Sequence, residues 1–191
     1  AGARGESPRT QAGRIEAALL WFLYASVNKE SFTCTSKAKD CDSSYAYYTG
    51  GEPARGGVGL ARYVAAADAL AHERAWDGLL ALRCWRDLDD GEVAEDLELR
   101  ERARSQLDRA VSDGLAAVLR ARLVGMCGER GGALEESWAF VRTLAPALDA
   151  TMQLADEALA RAFREELARA RPQDLDLSVA VGALDAVYEC P

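Results

Sequence analysis

The chain has 191 residues, a formal net charge of −8 and a pI near 4.8. That charge excludes a general phosphate-backbone binder, so no nucleic acid is expected as a partner. Hydrophobic residues at 49% and charged residues at 28% indicate a globular chain rather than a disordered one, and no run approaches the roughly 18 apolar residues of a membrane span.

Residues 1–10 (AGARGESPRT) are small, polar and charged, and read as a flexible leader or tether. Ile15, Ala18, Leu19, Phe22, Leu23 and Val27 then recur at helical spacing, which predicts a first helix over residues 11–29 with that stripe facing inward. A polar stretch holds Cys34 and Cys41. Tyr45, Tyr47 and Tyr48 fall in a short helix or turn, and the glycines from Gly50 to Gly59 mark a loop. Leu60, Val64, Ala67, Ala71, Ala75, Leu79 and Leu82 keep spacings of three and four, which predicts one helix over 60–86.

Seven acids and no base lie between Asp87 and Glu98. An EF-hand register there puts Glu92 where glycine is required, so the run reads as a solvated loop entering the next helix, where acids suit the dipole. That helix spans 93–124. Another runs over 133–170, with Pro146 kinking or splitting it, and a short one follows from Leu177 to Tyr188. No segment has the alternation of a strand. The expected architecture is an all-α helical bundle of five to seven helices in a single domain, residues 11–191.

A duplication is also expected, with pseudo-symmetric halves at 11–86 and 93–171. Cys34 is followed eleven residues later by Tyr45-Ala46-Tyr47, and Cys127 at the same distance by Trp138-Ala139-Phe140.

Five cysteines sit without any CxxC spacing, which removes zinc-ribbon and thioredoxin-type sites. Loop and terminal positions suit disulfides. Cys34 and Cys41 are expected to be oxidised, to one another or to Cys127 or Cys190, leaving about one thiol free. With a first residue other than Met, the expectation is a chain outside the cytoplasm: periplasmic, surface-tethered or secreted.

His72 is the only histidine, which excludes multi-His metal sites. The Gly-x-His-x-x-Glu motif of imelysin-like helical proteins is absent, because Leu70 and Ala75 stand at its Gly and Glu positions. Asp68 lies one helical turn before His72, so the two could share a divalent metal if Glu136, Asp149 or Asp156 approached from the second half. No nucleophile-elbow or Walker pattern occurs, so no catalytic residue is assigned and an enzymatic role stays open.

Eight of the 14 aromatic residues lie between positions 21 and 63. Aromatic side chains with polar tips suit recognition surfaces. Two readings follow. In the first, the chain is an exported, non-enzymatic binding module that holds a protein or small-molecule ligand through Trp21, Tyr24, Tyr45, Tyr47, Tyr48 and Tyr63. In the second, it is a metal-binding protein using His72 and Asp68.

Overall fold

The computed structural model describes residues 5–52, 55–88, 91 and 94–188. Ser7 starts the first helix: its Oγ accepts from the Thr10 N–H at 3.1 Å, and Pro8 occupies the first turn, where its missing N–H costs nothing. Helix α1 (Pro8–Thr33) therefore begins inside the stretch expected to be a leader. The others are α2 (Lys39–Thr49), α3 (Leu60–Ala67), α4 (Ala69–Leu88), α5 (Leu97–Gly125), α6 (Gly132–Leu144), α7 (Asp149–Ala155), α8 (Glu157–Leu167) and α9 (Leu177–Val187). No strand occurs among the described residues.

The all-α class is as expected, but among the described residues nine helices replace five to seven, because two of the expected long helices break. Asp68 adopts φ −151° and ψ 101°, ends α3, and caps α4 by accepting from the Leu70 and Ala71 N–H groups at 2.9 and 3.0 Å. Asp156 does the same between α7 and α8, at φ −158° and ψ 110°, accepting from Ala158 and Leu159 at 2.8 and 3.0 Å. Aspartate competes well with the helix backbone for N–H donors, so it ends one helix as it starts the next. Pro146 falls in a 3-10 turn (Ala145–Leu148) that separates α6 from α7.

Packing divides the chain into an inner unit, residues 22–118, and a split unit made of residues 1–21 and 119–191. In the inner unit, α2 packs on α3 and α4. Its centre holds Trp85, Tyr48, Leu79, Leu82, Leu107 and Leu115, all buried. The Trp85 indole donates to the Asp96 carbonyl at 2.8 Å, and Tyr24 shares a buried hydrogen bond with Ser112 at 3.0 Å. In the split unit, α8 packs on α7 and α9 over Phe140, Leu144, Leu148, Phe163 and Leu184. The Arg122 guanidinium lies 4.1 Å above the Phe140 ring and pairs with Glu16 at 2.7 Å.

Helix α1 presents the opposite face from the one expected. Glu30 aside, its buried positions are Gly13, Ala17, Leu20, Tyr24, Val27 and Ser31, at alternating spacings of four and three that continue to Cys34. At about 100° per residue, this seam lies across the helix from Ile15, Ala18, Leu19 and Phe22. Only Val27 of the expected stripe is buried; Leu23 is half-buried and the rest are exposed. The cause is closeness of approach. A Cβ at Gly13 would overlap the Glu136 carbonyl oxygen, so the helix contacts α6 through its smallest residue. We expect Gly13→Ala to destabilise the chain by about 2 kcal/mol despite alanine's better helix propensity, since overpacking against a backbone atom is not relieved by rotamer change. A lowered urea midpoint with an unchanged slope would check it.

Glu166 ties α8 to the start of α9. Its carboxylate accepts from Arg169 at 2.6 Å and from the Asp176 N–H at 2.8 Å. The Arg169 hydrogen bond first, then the Asp176 backbone bond, holds its carboxyl below the ordinary 4.5. A carboxyl depressed in the folded state stabilises above its unfolded pKa, and that stability is lost as pH falls through the folded value. Thermal unfolding should thus be flat from pH 7 to about pH 5 as far as this group is concerned, then weaken with acidification. Glu166→Gln should weaken the chain at pH 7 and narrow its gap to the native chain as pH falls below 4.5.

Candidate functional site

Exposed apolar residues gather along α1. Ile15, Leu19, Phe22 and Phe32 are 61%, 58%, 57% and 59% exposed, and Trp21 beside them is 38% exposed. Ala18 and Ala25 are exposed on the same side, with Lys29 between Ala25 and Phe32. Positions 15, 18, 22, 25, 29 and 32 repeat at spacings of three and four, which is the stripe one helix presents to another. Polar atoms rim it: Arg100 and Arg104 stand 5.6 and 5.0 Å over the Phe32 ring, and the Tyr47 ring meets Phe22 edge-on at 5.9 Å.

The six expected recognition residues separate. Trp21 is on this face. Tyr47 reaches it through Phe22 and is itself half-buried. Tyr24 is in the core with Ser112. Tyr45 is half-buried between the Trp76 ring, at 5.5 Å, and the Arg83 guanidinium, at 4.7 Å. Tyr63 is half-buried on α3. Tyr48 is fully buried, and burial first, then the Asp68 and Glu73 carboxylates, pushes its phenol well above the ordinary 10.0. It is therefore a permanent hydroxyl donor or acceptor and never a phenolate at neutral pH.

That property defines His72. The imidazole is buried, with the Tyr48 hydroxyl 3.1 Å from Nδ1 and the Arg55 carbonyl oxygen on Nε2. A carbonyl only accepts, so Nε2 carries a proton, and in the neutral ring Nδ1 accepts from Tyr48. The Arg55 side chain then reaches Glu73 and, at 3.0 Å, Asp77. One loop residue is held by its backbone at His72 and by its guanidinium at the adjacent Glu73 and, one turn further along α4, at Asp77. The histidine thus clasps the α2–α3 loop. Asp68, spent on the α4 cap, turns its carboxylate to backbone N–H groups. No group of three His, Cys, Asp or Glu side chains is placed to hold a metal among the described residues. Of the acids named as further ligands, Asp149 pairs with Arg164 at 2.7 Å and Asp156 caps α8.

No family model, curated protein or solved structure matches this chain.

Cys34 and Cys41 form a disulfide that joins the end of α1 to the first turn of α2. It choosesthe nearest of the expected pairings. Cys84 and Cys127 are free and exposed, so the expected second bridge to Cys127 does not form; Cys190 lies outside the described residues. No described helix is long and apolar enough to cross a membrane. Of the acidic run, Asp89, Asp90 and Glu92 are outside the described residues, while Asp96 accepts from the Leu99 N–H at 3.1 Å at the start of α5, as acids before a helix should.

Phe22 and Phe32 carry the largest aromatic surface on α1 and are missing from the expected recognition set, which favoured aromatic residues with polar tips. The signal that finds them is the small-residue seam at 13, 17, 20, 24, 27 and 31: once that face is inward, Phe22 and Phe32 must point out.

Proposed function

We propose that the chain is a non-enzymatic interaction module, working outside the cytoplasm, that pairs the outward face of α1 with an apolar helix of a protein partner. The observation carrying this reading is the row of exposed Ile15, Leu19, Phe22 and Phe32 along one helix. An apolar row of this kind, rimmed by polar side chains, is the mark of an interaction surface. The three-and-four spacing favours a helical partner, because knobs at that period fit another helix. The Cys34–Cys41 bond supports an oxidising compartment. The repeat of Ala-Asp at 67–68 and 155–156, each Asp ending one helix and capping the next, supports the duplicated halves.

Position-specific crosslinking tests the surface. A photoreactive phenylalanine analogue at position 22 or 32 should give one discrete protein adduct in the producing cells, and the same analogue at exposed Leu154 should not. Adding Leu19→Glu should strongly weaken the adduct, because Leu19 flanks the stripe beside Ile15 and Phe22 and a charge there must be desolvated on pairing. Adducts at 22 and 32 no stronger than at 154, or unaffected by Leu19→Glu, would remove the reading.

A further inference from the structure

The split unit contains a cavity of about 460 Å³ that the chain's overall acidity does not foreshadow. Arg14 from α1, Arg142 from α6 and Arg171 beyond α8 line it, against a single carboxylate, Glu135. Trp138 forms part of the wall, is 7% exposed, and its indole N–H is buried without an acceptor. Thr10 and Thr143 add hydroxyls.

The three arginines differ in commitment. Arg14 pairs with Glu6 at 2.7 Å, with both side chains about half exposed, a contact of little strength in water. Arg171 grips Asp174 with two hydrogen bonds, at 3.0 and 2.8 Å. Arg142 has no carboxylate within ion-pairing distance among the described residues. Instead its guanidinium is stacked 5.5 Å from the Trp138 ring centroid. Stacking fixes the plane of the fork while leaving its N–H edge unspent, and a planar fork with free donors matches an oxyanion in two-point geometry. A cavity of this volume accepts a small organic molecule rather than a bare ion.

We propose that this cavity binds a small organic anion, its carboxylate or phosphate group held bidentately by Arg142 above Trp138, with Arg14 released from Glu6 to complete the charge. This site is separate from the outward face of α1 and does not depend on that reading. Arg142, the lining arginine without a carboxylate partner among the described residues, selects for an anion, and the indole and the two threonines set where the ligand's body lies.

The test uses the full ¹⁵N-labelled chain, with the Trp138 indole resonance assigned by its absence in Trp138→Phe. Benzoate, inorganic phosphate and uncharged benzamide are titrated at constant ionic strength. We expect a saturable shift of the Trp138 indole resonance with benzoate, phosphate or both, and none with benzamide; which anion acts distinguishes a carboxylate from a phosphate ligand. Arg142→Gln should weaken that binding at least tenfold. Arg142→Lys should weaken it nearly as much, since it keeps the charge and loses the fork, while exposed Arg161→Gln should leave it unchanged. No saturable shift with either anion, equal binding of benzamide, or full affinity in Arg142→Gln would overturn the proposal. Arg142 is exposed, so its variants fold.

Discussion

Replacing Trp85 with Ala should cost the inner unit about 4 kcal/mol, the largest effect of any single side-chain truncation here. Trp85 is the largest of the fully buried side chains, and its indole N–H holds the Asp96 carbonyl at 2.8 Å just before α5 begins. The substitution removes both the ring and that bond. It leaves a hole in the core and an Asp96 carbonyl holding only its longer bond from the Arg100 N–H, at 3.3 Å, and each adds to the loss. Trp85→Phe separates the two terms: it keeps most of the volume and should cost only about 1–2 kcal/mol. Chemical denaturation followed by far-ultraviolet circular dichroism reads both. Equal losses for the two variants would mean that the hydrogen bond, and not the packing, dominates.

The second large effect is the disulfide. Opening the Cys34–Cys41 loop, seven residues in sequence separation, restores conformational freedom to the unfolded chain worth about 2.5 kcal/mol. The paired change Cys34→Ser with Cys41→Ser should show at least that loss, because both positions are buried and a hydroxyl there needs a partner. Reduction of the native chain should give a similar drop. In the thiol assay without denaturant or reductant, Cys84 and Cys127 should react, and Cys34 and Cys41 should not. A chain whose stability is indifferent to reductant would contradict the bond's structural role.

Much of the fold was legible because its signals are local. Pro146 interrupts the helical segment after α6, Gly50 ends α2 in the left-handed conformation with its N–H on the Ala46 carbonyl at 2.8 Å, and the α9 stripe falls where its spacing puts it. The breaks at Asp68 and Asp156 were not legible. Each sits in an uninterrupted apolar period, and only the cap hydrogen bonds reveal that aspartate has diverted the backbone. The rotation of α1 was hidden for a different reason. Periodicity weighs residues by hydrophobicity, which favours Ile15, Leu19 and Phe22 for the interior. What decides the inward face is how near α6 comes, and that nearness admits Gly13 alone. His72 shows the same limit. One imidazole with an aspartate a turn away looks like half a metal site, until the Arg55 carbonyl and the Tyr48 hydroxyl are found on its two nitrogens.

The outward face of α1 is the centre of the functional reading, and hydroxyl-radical footprinting of the purified chain tests it most directly. Ile15, Leu19, Phe22 and Phe32 are expected to oxidise rapidly, relative to their intrinsic reactivities, while Leu20, Tyr24 and Val27 on the same helix stay protected. The reverse ranking would mean that the helix is rolled by half a turn with its bulky residues inside, and the proposed docking surface would not exist.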